Sequence, residues 1–103
     1  MRIRKTIDEN NPDVIKIAEI SDALSHPVRI AILKYVKDKN KVRNDVCNSD
    51  LVNNFSYSQA TISQHVKKLV SIGIFNIKKE DKYSIYSVNK SVLNEYLKLI
   101  RNL

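Results

Sequence analysis

One run of the chain, SYSQATISQHVKKL at residues 56–69, concentrates side chains that read or neutralise other molecules. Ser58, Gln59, Thr61, Ser63 and Gln64 are short hydrogen-bonding groups, and Lys67 and Lys68 are cations. Interleaved with them, Ile62, Val66, Leu69 and Val70 recur at the i, i+4, i+7, i+8 spacing of one helix face. Such a helix buries one side and offers Gln, Ser, Thr and Lys on the other. Gln and Ser/Thr hydrogen-bond base edges, and Lys neutralises phosphate. A helix N-terminus also favours a phosphate through its free first-turn amides. The chemistry implied is recognition of double-stranded DNA, with Gln59, Ser63 and Gln64 as base readers and Lys67 and Lys68 on phosphate. Thr61 points between the two faces, and Tyr57 is expected to pack in the preceding turn.

Catalytic chemistry finds no support. No Gly-rich phosphate loop, no carboxylate pair at useful spacing and no nucleophile–base constellation is specified, so the chain reads as a non-enzyme without a cofactor. Metal ligands are equally sparse: Cys47, His26 and His65 are the only thiol and imidazole groups, and a thiophilic ion needs several converging ligands. A single cysteine excludes an intrachain disulfide framework and fits a reducing compartment, the cytoplasm.

Charge agrees with an anionic partner. The formal net charge is +7. Residues 1–24 carry four Lys/Arg against five Asp/Glu, and residues 25–103 carry fourteen against six, so the positive field belongs to the later part. No run of about 18 apolar residues exists to span a membrane, and MRIRKTIDENN lacks the apolar segment of a secretory leader. With 103 residues, one domain over 1–103 is expected.

The elements that must position the reading helix follow from periodicity and punctuation. PDVIKIAEISDAL (12–24) reads as a helix with Pro12 in its first turn and Val14, Ile17, Ala18 and Leu24 on one face. HPVRIAILKYVKD (26–38) reads as a second, capped by Ser25, with Ile30, Leu33 and Val36 as its core stripe. KNKVRND (39–45) is a polar loop, with a short extended piece possible around 42–47, and DLVNNF (50–55) a short helix capped by Asn48 or Ser49. A tight turn at 56–58 then leads into the reading helix, roughly 58–72; two helices joined this way form a helix-turn-helix.

Gly73 sits where a left-handed helix terminus is wanted. IFNIKK (74–79) and KYSIYSV (82–88), rich in β-branched and aromatic residues, form a hairpin around EDK, with Asp81 taking the turn conformation. NKSVLNEYLKLIRNL (89–103) closes the chain as a helix with a wide apolar face. The fold class is mainly α with a small β-hairpin, a winged helix-turn-helix. In the wing, Lys79, Lys82 and Tyr83 are candidate DNA contacts beside Lys78. Val14 and Ile17 of the first helix, with Val92, Tyr96, Leu97 and Ile100 of the last, exceed what so small a domain buries and mark an interface.

Three stretches in register resemble the ArsR family of bacterial winged-helix repressors. ALSHPVRIAILKYV (23–36) is similar to its A-L-x-x-P-x-R-x-x-I-L signature, SQATISQHVKKL (58–69) to S-Q-x-x-[VI]-S-x-H-[LV]-x-x-L, and GIFNIKKEDKYSIYSV (73–88) to G-[LI]-V-x-x-x-[RK]-x-G-x-x-x-x-Y. The resemblance spans roughly residues 20–90. It implies a homodimer built on the first helix (about 12–24) and the last (about 89–102). It also implies a wing against the DNA backbone or minor groove, and a role for His65 of the S-x-H motif in packing against the hairpin or reaching a phosphate. The implied function is sequence-specific repression at an imperfect inverted repeat. Asp81 replaces the wing glycine, and the loop before the third helix is roughly four residues longer than usual. The family's metal box E-L-C-x-C-D-L survives as DVCNSDL (45–51), with Cys47 kept and Ser49 in place of the second cysteine. No His occupies the last helix, so the paired Asp/His site of some relatives is missing as well. The expectation is therefore DNA binding that does not use the family's usual metal sites, with no small-molecule effector specified. Two other readings stay open: a winged-helix module that binds protein, and a thiol sensor at Cys47.

Overall fold

A computed structural model describes residues 8–103; the leader expectation for the first seven residues lies outside them. The element order is α1 (Pro12–Ala23), α2 (Pro27–Lys39), α3 (Asn48–Asn54), α4 (Gln59–Ser71), β1 (Phe75–Glu80), β2 (Tyr83–Val88) and α5 (Lys90–Arg101). No helix among the described residues is long and apolar enough to cross a membrane.

Local chemistry sets the boundaries. Asn11 caps α1 by accepting from Asp13 N and Val14 N, with Pro12 pre-set at the first helical position. His26, not Ser25, is the N-cap of α2, and it makes no side-chain cap bond. Ser25 instead donates its hydroxyl to Asp22 O, closing the turn after α1. Cys47, rather than Asn48 or Ser49, caps α3, and Ser58 Oγ caps α4 by accepting from Thr61 N at 3.2 Å. Gly73 ends α4 at φ +85°, while Gly73 N donates to Val70 O and Ile74 N to Leu69 O. This paired closure is the Schellman terminus, which wants a residue without Cβ strain.

The core gathers Ile20 of α1, Ile32 and Val36 of α2, Leu51 of α3, and Ile62, Val66 and Leu69 of α4. Val46, Ile74, Phe75, Tyr86 and Val88 complete it. Two helix faces are rotated from the sequence expectation. In α1 the buried residues are Ile20 and Ala23, whereas Val14 and Ala18 are exposed. In α2, Ile32 and Val36 are buried, and Ile30 faces outward at 51% exposure. Both helices carry apolar residues on more than one face, so spacing alone did not select the buried one.

The hairpin pairs Phe75 with Val88, Ile77 with Tyr86 and Lys79 with Ser84 on the face that carries its buried residues. On its other edge β2 meets the segment before α3: Cys47 bridges to Ile85, and Tyr86 N donates to Val46 O at 2.8 Å. The extended piece expected near 42–47 is thus confined to its last residues. Asp81 opens the two-residue turn at φ +54°. α5 lies against α1 through Lys16–Glu95 at 2.6 Å and Ser21 Oγ–Tyr96 OH at 2.8 Å.

Gly73 yields a stability prediction. A Cβ there would meet only the Val92 methyls, at 3.8 and 3.9 Å, so space is available and the backbone angle is the obstacle. Gly73→Ala should destabilise by about 1–2 kcal/mol, read as a lowered midpoint in urea unfolding with an unchanged slope.

Candidate nucleic-acid interface

α4 is held by its apolar stripe and turns the opposite face outward. At 100° per residue, Gln64 lies opposite the buried Ile62, Val66 and Leu69, with Ala60 and Lys67 beside it; all three are exposed. Gln59 and Ser63, also exposed, occupy the flank toward the wing. The other flank faces α1 and α2. There Lys68 pairs with Asp22 of α1 at 3.7 Å, and it lines a groove against Ile15, Lys16 and Glu19. Thr61 is half-buried and its Oγ1 accepts from Ser58 Oγ at 3.1 Å, so both residues are engaged in the cap that starts the helix.

The wing stands across from that first flank. A cleft of about 420 Å³ separates α3 and α4 from β2. Gln59 and Ser63 form one wall, Lys82, Tyr83 and Ser84 the opposite one, and Asn48, Ser49 and Asn53 of α3 line its third side. No carboxylate lines it. Lys79 and Lys82 are exposed, and Tyr83 is 61% exposed at the wing tip. Lys78 is drawn to Glu80, with 4.0 Å between charged atoms. Gln59, Ser63, Lys82 and Tyr83 are therefore brought together around one opening, Gln64 and Lys67 lie on the adjoining ridge, and Lys68 lies apart on the α1 side.

Several neighbours of this surface were not identified from sequence. Asn53 and Ser49 lie on α3, whose polar run NSDLVNN, with Leu51 as its single fully buried residue, is the one sequence signal of their exposure. Tyr57 does not pack in the turn but is 48% exposed beside the start of α4. His65 sits on the α2 side of α4: its Nδ1 accepts from Arg29 Nε at 3.0 Å, and its ring sits 6.2 Å from that of His26.

Cys47 lies at the base of the cleft, half-buried. Its sulfur contacts Ser49 Oγ at 3.0 Å and Asp50 Oδ2 at 3.4 Å. Asp50 returns to the Cys47 N–H at 2.9 Å and accepts from Arg43 Nη2 at 3.1 Å. Burial alone would raise the Asp50 pKa, but the bonds from Cys47 and the Arg43 charge outweigh it and hold the carboxyl below its ordinary value. Among the described residues no group of three or more His, Cys, Asp and Glu is placed to hold a metal.

With this geometry established, known proteins place it. The family model of bacterial regulatory proteins of the ArsR family matches residues 26–76, from the N-cap of α2 into the wing. A helix-turn-helix type transcriptional regulator of Methanocaldococcus jannaschii is 30% identical over 88 residues, covering 85% of this chain and 94% of that one. The chain belongs to the ArsR family. The arsenical resistance operon repressor of Staphylococcus aureus is 28% identical over 87 residues, covering 78% of this chain and 81% of the repressor. Among solved structures, a homodimeric winged helix-turn-helix DNA-binding domain from Mycobacterium bovis superposes with a TM-score of 0.69 at 14% identity, covering 93% of this chain and 90% of that one. That last likeness is one of fold. As a member of the ArsR family the chain is a transcriptional regulator, from a family of DNA-binding proteins rather than enzymes.

The Asp50 cluster predicts an acid sensitivity. A carboxylate whose folded pKa is depressed stabilises the fold above its ordinary value of 3.8, and that contribution is lost as pH falls through the lower folded value. Asp50→Asn should therefore lower stability at neutral pH and flatten the acid limb of the stability curve. Urea unfolding repeated from neutral to about pH 3 measures both effects.

Proposed function

We propose that this ArsR-family regulator is a dimeric repressor that binds an imperfect inverted repeat in double-stranded DNA. The observation that carries this reading is the surface shared by α4 and the wing. Gln59 and Ser63 form one wall of the cleft and Lys82 with Tyr83 the other, Gln64 and Lys67 are exposed on the adjoining ridge, and no carboxylate lines the cleft. Gln59, Ser63 and Gln64 meet base edges in a major groove, and Lys67, Lys79, Lys82 and Tyr83 meet the flanking backbone. Ser58 and Thr61 set the angle at which α4 enters the groove.

The likeness to an operon repressor supports repression, and the homodimeric fold relative supports a two-fold assembly. Within one protomer Val92 and Tyr96 pack against the core, and Ile17 is half-buried. Val14, Leu97 and Ile100 remain exposed at 43%, 45% and 38% on the joined helices α1 and α5. These three, with Ile15, form the patch we assign to the partner copy. The whole chain acts as one domain in the cytoplasm, and DNA release does not use the family's usual metal sites, since Ser49 stands where the second thiol of that box would be.

The DNA reading is tested on a duplex recovered from retained fragments of the protein's own genome, with a chelator present. Gln64→Ala should cost about 1–3 kcal/mol on that duplex and little on random DNA. Lys79→Ala should weaken both alike and reduce the salt slope by about one. Equal losses on both duplexes for Gln64→Ala would favour a protein-binding module. The assembly is tested by Leu97→Asp, which places a charge in the interface: sedimentation should give a dimer for the unmodified chain and a monomer for the variant. A strictly monomeric unmodified chain would refute it.

A further inference from the structure

One side chain connects the end of α1 to the middle of the DNA-reading helix. Arg29, in the first turn of α2, donates from Nη1 to Ala23 O at 3.3 Å and from Nε to His65 Nδ1 at 3.0 Å. Ala23 is the last residue of α1, whose terminal carbonyls lack helical partners. His65 is half-buried in α4, on the flank that meets α2. Three helices thus converge on one guanidinium.

The Arg29–His65 bond has one protonation requirement. A guanidinium stays charged and only donates, so Nδ1 must accept, which places the imidazole proton on Nε2 and makes His65 neutral. A proton on Nδ1 would turn the acceptor into a donor and set a second positive charge against Arg29.

We propose that Arg29 and neutral His65 act as positioning residues, a latch that fixes α4 against α1 and α2, and that protonation of His65 opens the latch and weakens DNA binding in mild acid. This inference rests on the reading of α4 as the DNA-contacting helix.

The surroundings favour the neutral form. Burial, then the Arg29 charge, then His26 all push His65 below the ordinary histidine value of 6.5. α1 contributes Asp22, which is drawn to Lys68. Asp50 of α3 lies toward the wing cleft instead, tied to Cys47 and Arg43. β1 carries Lys78, Lys79 and Glu80, all exposed on the wing. Because the folded pKa is lowered, the folded state prefers neutral His65. The latch is intact above 6.5 and is lost as pH falls from there through the lower folded value.

The test has a DNA-free arm and a DNA arm. In the first, the imidazole nitrogens of the unmodified chain and of Arg29→Gln are followed by nuclear magnetic resonance across pH. His65 should be protonated at Nε2 when neutral and titrate below the ordinary value, and Arg29→Gln should move its titration upward. A neutral His65 protonated at Nδ1, or a titration at or above the ordinary value in the unmodified chain, would overturn the latch even if Arg29→Gln does not fold. In the second, binding to the recovered duplex is compared at about pH 7.5 and at a pH below the His65 titration found in the first arm, for the unmodified chain and for His65→Asn, which keeps an uncharged acceptor near Nδ1. The unmodified chain should lose about tenfold more affinity than His65→Asn, the scale of one charge-assisted hydrogen bond. An equal loss in both overturns the inference. No binding by either protein at the higher pH defeats the DNA reading instead, and the imidazole titration then decides the latch alone.

Discussion

Ile62, Val66 and Leu69 leave the reading helix only one way to be held. Each is at most 2% exposed, and each contributes about 1.5–3 kcal/mol of burial. Four helices and the hairpin meet in the core they join: Ile20 from α1, Ile32 and Val36 from α2, Leu51 from α3, and Phe75 with Tyr86 from the hairpin gather with the stripe of α4. Once that stripe is inward, Gln64 must be outward, because the two are on opposite sides of one helix. The outward face of α4 and the core are therefore fixed by one and the same rotation.

The flanks of α4 are set by that rotation too. On one side the wing rises from Gly73, only two residues past the end of α4, so its lysines cannot stray far from Gln59 and Ser63. On the other side Arg29, His65, Lys68 and Asp22 form a polar seam with α1 and α2. One flank is open to a ligand and the other is spent on internal bonds. This explains why two lysines adjacent in sequence, Lys67 and Lys68, meet such different surroundings.

Much of this was legible beforehand. The order of helices and hairpin, the terminus at Gly73 and the inward stripe of α4 all follow from spacing and punctuation, where local chemistry and tertiary need agree. The buried faces of α1 and α2 did not, since Val14, Ile17, Ala18, Ile20 and Ala23 leave α1 apolar almost all round, and which side turns inward depends on α5 and the core. Ser25 was read as a cap on type alone, yet its hydroxyl bonds back to Asp22. Around the cleft, Gln59, Ser63, Lys82 and Tyr83 are legible from the patterns of α4 and the wing, whereas the short polar helix α3 gives no periodic signal for Asn53 and Ser49. The Arg29–His65 bond joins two motifs thirty-six residues apart in sequence, and no periodicity reports a contact at that distance.

The bridge between Cys47 and Ile85 has a consequence for solubility. Because Tyr86 N is already bound to Val46 O, the inner edge of β2 offers a partially satisfied ladder, and the free edge of the wing is that of β1. That edge ends in Lys78, Lys79 and Glu80, all exposed. Strand edges invite other strands to join them, and charged side chains on the edge, lysine above all, oppose it. The same lysines that suit the wing to a phosphate backbone therefore keep one wing from stacking on another in the crowded, DNA-free protein.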